Sequence, residues 1–234
     1  MGFLATFLIF TLLSTIQIFD ELSPSELEEV SEFIIWKDYV KGEQIVDRKD
    51  KSLSVCLVAK GSVVSTTFSF SGKEIAYQTL GQGEIFGEIA AIDGGNRTTD
   101  ILCAEDCTIG VISQANFSQI IEKYPSVARQ VMLRLVGIIR FLCGRVYEFS
   151  ALGVKERIRA EIVRAARQSS QSGVDVEITD MPTHEEIANR ITTHREAVTK
   201  EFSYLSKQGL IKKQGKTLIV PDVQALANLI TEEI

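Results

Sequence analysis

The apolar residues of this chain change their spacing near residue 126, and that change limits the folds open to it. From about 40 to 113 the chain is a succession of short apolar runs broken by Gly, Asp and Lys. Val55 to Val58, Ser62 to Phe70, Ile75 to Leu80 and Cys107 to Ile112 read as strands, and Ser71-Gly72-Lys73 as a hairpin turn. Many short strands with frequent turns predict a barrel or roll. Then Ala128, Met132, Leu135, Ile139, Leu142, Val146 and Phe149 recur at alternating spacings of four and three. Such an a/d seam predicts a long helix that pairs in parallel with a second copy of itself. A helix packed only against its own domain shows a broader stripe at period 3.6.

Before the strands, Ser23-Pro24-Ser25-Glu26 predicts a capped helix start, with proline at the first helical position. After the long helix, Gly153 is a candidate hinge, Lys155 to Gln168 reads as a helix, and 168–173 is polar loop. Two further capping boxes stand ten residues apart, Thr183 with Glu186 and Thr193 with Glu196. The first helix they announce has room for about two turns. Ile187, Ala188, Ile191, Val198, Phe202 and Leu205 supply a compact core, so the pair predicts a helix-turn-helix, with Thr192 where many such turns carry glycine. Leu210 to Val220 reads as two strands joined at Gly215, a wing with Lys213 and Lys216 near its tip.

Charge agrees with a nucleic-acid reader. The 234 residues carry a net charge of −6, yet residues 183–216 hold seven Lys and Arg against four Asp and Glu. An acidic body with a locally basic patch does not bind polyanions indiscriminately. Thr193, His194, Arg195, Glu196, Thr199 and Lys200 occupy the front of the second helix, with groups suited to base edges and phosphates; Thr183 opens the first.

Residues 85–98, Ile-Phe-Gly-Glu-Ile-Ala-Ala-Ile-Asp-Gly-Gly-Asn-Arg-Thr, suit a small anionic ligand carrying a sugar. Gly87 permits close backbone approach. Amides at the start of a helical turn favour an anion. Glu88 can accept hydrogen bonds from ribose hydroxyls, Arg97 can grip a phosphate through two charge-assisted bonds, and Thr98 adds a hydroxyl.

These residues resemble the phosphate-binding cassette of cyclic-nucleotide-binding domains, which adds Ile89 and Ala90 to the expected ligand contacts. Val58-Ala59-Lys60-Gly61-Ser62-Val63 and Leu80-Gly81-Gln82-Gly83 resemble its flanking turns. Arg195-Glu196-x-Val198-x-Lys200 resembles the recognition helix of the CRP/FNR regulator superfamily. The resemblance, spanning about Leu12 to Pro221, implies an α+β chain in three parts. These are an antiparallel, jelly-roll-like β-roll over 12–125, a dimerisation helix and hinge over 126–152, and a winged helix-turn-helix over 153–234. It implies a cytoplasmic, homodimeric transcription regulator bound to double-stranded DNA, with RNA polymerase as a further partner. The implied effector is a cyclic nucleotide, cyclic AMP ahead of cyclic GMP. Leu142 and Cys143 align where cyclic-AMP-responsive members place a Thr-Ser pair against adenine, so the hydroxyl pair is absent here. Thr98-Thr99 replaces the usual Ser-Ala or Thr-Ala ending, and threonine after the arginine favours cyclic GMP in some relatives.

Two other readings stay open. Cys103 and Cys107 would serve a redox- or metal-linked sensor with a vestigial nucleotide pocket, although their spacing, without nearby histidines, favours reduced core thiols and no metal. The uncharged stretch Met1 to Phe19 is read as a docked or frayed helix, with a membrane anchor as the alternative. No nucleophile–base set or paired catalytic carboxylates point to an enzyme.

Overall fold

The computed structural model describes residues 11–68, 74–169, 174–179, 181–215 and 217–231. The chain divides into two compact units, Met1–Ile138 and Ile139–Ile234. Residues 1–10, the expected hairpin turn at 71–73 and Lys216 lie outside the described residues. Among those described, no helix is long and apolar enough to cross a membrane.

The first unit opens on a short turn of helix, Gln17–Phe19, and on α1 (Pro24–Ser31). The predicted capping box forms, with Ser23 Oγ accepting from Glu26 N and Glu26 accepting from Ser23 N at 2.7 Å. Eight strands follow, with one short helix among them: β1 (Ile34–Tyr39), β2 (Gln44–Val46), β3 (Val55–Lys60), β4 (Val63–Phe68), β5 (Glu74–Leu80), β6 (Ile85–Phe86), α2 (Glu88–Asp93), β7 (Asp100–Cys103) and β8 (Cys107–Ile112). They form two antiparallel sheets, ordered β1-β8-β3-β6 and β2-β7-β4-β5. β3 shows why its sequence is a continuous apolar run. Cys56 and Val58 pack between the sheets with Val46, Val63, Leu80 and Ile101. Val55 and Leu57 point the other way, into a cluster with Leu13, Ile16, Phe19, Leu27, Val30, Phe117 and Ile120. A strand covered on both faces loses the alternation that marks a half-exposed one. Helix α3 (Gln114–Lys123) and the start of α4 (Pro125–Ala151) complete that cluster through Phe117, Ile120, Val127 and Val131.

The second unit holds the last turns of α4, then α5 (Val154–Gln168), β9 (Val174–Ile178), α6 (His184–Arg190), α7 (Arg195–Lys207), β10 (Lys212–Gln214), β11 (Thr217–Asp222) and α8 (Val223–Thr231). β10 and β11 are the expected wing, and β9 extends it to an antiparallel sheet ordered β10-β11-β9. Ile187, Ala188, Ile191, Val198 and Leu205 are buried together, as their spacing predicts, while Phe202 packs half-buried against them. The predicted hinge glycine, Gly153, has an extended backbone (φ −70°, ψ 176°) that any residue can adopt.

Charges also organise this unit. Arg159 and Glu201 form an ion pair of 2.8 Å with both side chains buried, and Arg159 also donates to the Leu229 carbonyl at 3.0 Å. A charge pair removed from water persists only with good geometry and further hydrogen bonds, and this one binds α5, α7 and α8 together. Glu161, buried on α5, meets Arg145 of α4 at 3.4 Å, Arg190 of α6 at 3.3 Å, and Arg164.

One predicted cap does not form. Thr193/Glu196 is not the capping box of α7, whose N-cap is His194, without a side-chain cap bond. The chain leaves α6 through Thr192 in the left-handed region (φ 55°), and Thr193 N bonds back to Ala188 O at 2.9 Å. The helix therefore starts one residue late. Left-handed backbone costs a β-branched residue about 1–2 kcal/mol, and a glycine gives back about 0.5–1 kcal/mol in chain entropy. Thr192→Gly is therefore expected to stabilise the second unit by up to about 1 kcal/mol in urea titration. A loss of stability would show that the threonine side chain outweighs its strain.

Candidate functional site

Arg97 follows α2 and turns inward, with 4% of its surface exposed. Its Nη2 donates to Ser54 O and Ser52 Oγ, both at 2.8 Å, and to Ser54 Oγ at 3.3 Å; Nη1 donates to Gly87 O at 3.2 Å. Every acceptor is neutral. Among the described residues no carboxylate lies within ion-pair distance, and the buried Nε has no hydrogen-bond partner. Burial holds the guanidinium below its ordinary pKa; Cys56, Asp50 and Glu88 act in the opposite direction. Burial pushes the neighbouring Cys56 thiol up to about 12, so it is protonated near neutrality. A buried cation supported only by dipoles has room in its electrostatics for an anion.

Gly87 makes this packing possible. Its φ is +85°, and a Cβ there would overlap Arg97 Nη1 and stand 2.7 Å from Ser54 O. Glu88, next along, is 3% exposed and pairs with Arg134 Nε of α4 at 3.2 Å. Arg134 also meets Glu84 Oε1 at 3.4 Å and donates to the Ile85 carbonyl. Ile89 is half-buried, Ala90 buried and Thr98 exposed. A cleft of about 650 Å³ is lined by Arg48, Lys49, Asn96, Arg97 and Thr98. Of the expected ligand contacts, the structure brings Gly87, Glu88, Arg97 and Thr98 into one neighbourhood. Leu142 and Cys143 fall in the second unit, exposed on α4. Sequence reading missed Arg48, Lys49 and Arg134. The first two sit on a loop with no motif, and Arg134 lies on α4 outside the a/d positions that mark the seam.

Cys103 and Cys107 are buried, and Cys107 Sγ donates to Ser62 O at 3.2 Å and Glu105 O at 3.1 Å. Burial first, and then Cys107 beside it, hold the Cys103 thiol above its ordinary range. Among the described residues no group of three metal-ligating side chains forms.

In the second unit, His194, Arg195, Glu196, Thr199 and Lys200 are exposed along one end of α7, as is Lys213 on β10. Thr193 is half-buried, and Thr183 is exposed at the start of α6, where its Oγ1 accepts from Glu186 N at 3.2 Å. His184, the first residue of α6, lies among them. Its Nδ1 is 3.0 Å from Thr199 Oγ1, and its ring stands 4.6 Å from that of Phe202. Burial lowers its pKa, and so do Lys213 and Arg195. Cations from α7 and the wing thus act on one point beside the first helix.

A double-headed architecture of this kind has known counterparts. The cyclic nucleotide-binding domain model matches residues 36–124, and the Crp-like helix-turn-helix domain model matches residues 156–229. The chain belongs to the CRP/FNR superfamily. It is a DNA-binding transcription regulator of that type, carrying a cyclic nucleotide-binding domain. It is 26% identical over 187 residues to the cAMP-activated global transcriptional regulator CRP of Haemophilus influenzae, covering 78% of this chain and 82% of that one. It is 23% identical to the cyclic AMP receptor protein of Thermus thermophilus, covering 91% and 95%. A CooA mutant from Carboxydothermus hydrogenoformans shares the fold, with a TM-score of 0.78 at 20% identity, covering 92% of this chain and 94% of that one.

Two outcomes follow for this CRP/FNR regulator. Gly87→Ala places a Cβ on the guanidinium and is expected to cost about 1–3 kcal/mol of stability by denaturant titration. An unperturbed variant would mean that the loop yields freely. His184 has a lowered folded pKa, so its contribution is intact above the ordinary value of 6.5 and is lost as pH falls through 6.5 towards the folded value. His184→Gln should flatten that fall in melting temperature; an unaltered pH profile would exclude His184 as its source.

Proposed function

We propose that a cyclic nucleotide binds with its phosphate on Arg97, Thr98 and the Gly87 turn and its ribose on Glu88, and that the chain reads DNA as a homodimer. The single observation that carries the effector reading is the buried Arg97 guanidinium, held by neutral oxygens and, among the described residues, by no anion. Among mononucleotides cyclic AMP stands ahead of cyclic GMP, in keeping with the names of the relatives. The partition follows the chemistry, with a ligand-binding roll over 12–125, a helix and hinge over 126–152, and a DNA-reading part over 153–234. RNA polymerase is a further partner, and the cytoplasm the site of action. The protonated, buried state of Cys103 weighs against a thiol-based sensor.

The dimer reading rests on the seam. Ile139 is 59% exposed, Leu142 47% and Val146 66%, and Met132 and Phe149 are exposed too. α4 buries Val127 and Val131 on a different face. Burial of that seam by a second copy is favoured at about 25 cal/mol per Å² of apolar surface. Arg134 carries ligand information to α4, because a ribose hydroxyl on Glu88 alters the pair that holds it. A coupling of about 1–3 kcal/mol suffices to bias a two-state regulator. In the dimer, α7 of each subunit enters successive major grooves about 34–36 Å apart. Arg195, Lys200 and Lys213 meet bases or phosphates, Lys216 shares that role at the wing, and His194, Glu196, Thr193, Thr199 and Thr183 fix the register.

Calorimetry with cyclic AMP and cyclic GMP tests the effector reading. Arg97→Ala should abolish measurable binding while retaining the circular dichroism of the native protein, and unchanged affinity would remove the assignment. Arg195→Ala should cost about 1–3 kcal/mol at the cognate site and relax base preference there; equal losses on all sequences would make it a phosphate contact. Ile139→Asp with Leu142→Asp should give monomers in sedimentation velocity, and a persistent dimer would place the interface elsewhere.

A further inference from the structure

The cleft beside Arg97 holds more positive charge than one phosphodiester needs. A cyclic mononucleotide carries a single negative charge, and Arg97 alone is its match. Yet Arg48 and Lys49, on the loop between β2 and β3, line the same cleft of about 650 Å³, together with Asn96 and Thr98. That volume falls within the usual range for small-molecule sites, about 300–1,000 Å³.

The carboxylates nearby make no ion pair with these two side chains among the described residues. Asp47 Oδ1 accepts from the Lys49 amide at 2.7 Å, Asp50 Oδ2 from the Asp47 amide at 3.4 Å, and Asp100 Oδ1 from the Arg48 amide at 2.9 Å. They bind the backbone of the loop and set its shape. Arg48 Nη1 donates to Thr67 Oγ1 at 3.1 Å, which anchors its guanidinium to β4. Among the described residues neither Arg48 nor Lys49 forms an ion pair with a carboxylate. Three cationic side chains, one buried and orphaned at Nε and one tethered by a hydroxyl, therefore surround one concavity.

We propose that this cleft takes a nucleotide bearing two phosphate groups, one on Arg97 and Thr98 and the second between Arg48 and Lys49. The inference rests on the reading of Arg97 as a phosphate seat and names the ligand class of that site. An arginine fork and an ammonium complement a phosphate as a bidentate clamp and a point charge.

Calorimetry on the full chain tests it with three probes, namely cyclic AMP, adenosine 3′,5′-bisphosphate and cyclic diguanylate. The native protein should bind at least one of the two-phosphate probes about tenfold or more tighter than cyclic AMP, as expected for a second charge-assisted contact. Arg48→Ala with Lys49→Ala should lower that affinity about tenfold more than it lowers the affinity for cyclic AMP. Both positions are exposed, so the melting temperature of the unliganded variant checks that it folds. Equal binding of all three probes, or equal losses in the double variant, would overturn the second seat and leave the Arg97 reading intact. If no probe binds the native protein, the Arg97 reading itself fails, and the inference with it.

Discussion

The first unit is arranged around a buried charge that no carboxylate among the described residues pairs. Placing a guanidinium away from water without a partner is costly, and here the cost is met by four hydrogen bonds to oxygens of Ser52, Ser54 and Gly87. Each partner is supplied for a local reason. Ser54 precedes β3, whose two-sided burial fixes its position. Gly87 adopts positive φ and leaves the space that a side chain would take. Cys56 keeps its proton because it is buried. These hydrogen bonds fix the guanidinium in place, the preorganisation on which the proposed phosphate seat relies.

The second unit solves the opposite problem. An overall acidic chain must present a positive face to a polyanion, and it does so partly by spending acidic groups inside. Glu201 lies on α7 in the midst of the basic stretch, but Arg159 holds it in the core. Glu161 is surrounded by Arg145, Arg164 and Arg190. Arg195, Lys200 and Lys213 remain exposed, and burial, with the field of Lys213 and Arg195, lowers the pKa of His184. Internal ion pairs thus fix the helices while the surface charge stays available for steering.

Much of this was readable from local pattern. The Ser23 and Thr183 caps, the strands at 55–60 and 107–112, the long helix and the core of the helix-turn-helix appeared where their residues placed them. Each depends on neighbours within one or two turns or along one strand. β9 was missed, although Val174 to Ile178 alternates apolar and polar residues; it is short, and its pairing partner β11 lies some forty residues on. The Thr193 cap failed for a similar reason. The bond from Thr193 N to Ala188 O, formed by the preceding turn, decides where α7 begins.

Sequence alone determined the longer elements, the order of the two units and the residue types able to meet a phosphate or a base. Periodicity, caps and short motifs act over a few residues and survive without tertiary context. The tertiary structure decided which charges are free. Nothing local distinguishes Glu84 and Glu88, which Arg134 holds, from the exposed Glu196, and nothing local brings Arg48 and Lys49 beside Arg97. Charge pairing is a property of distance and burial, and both arise only when segments far apart in the chain pack together.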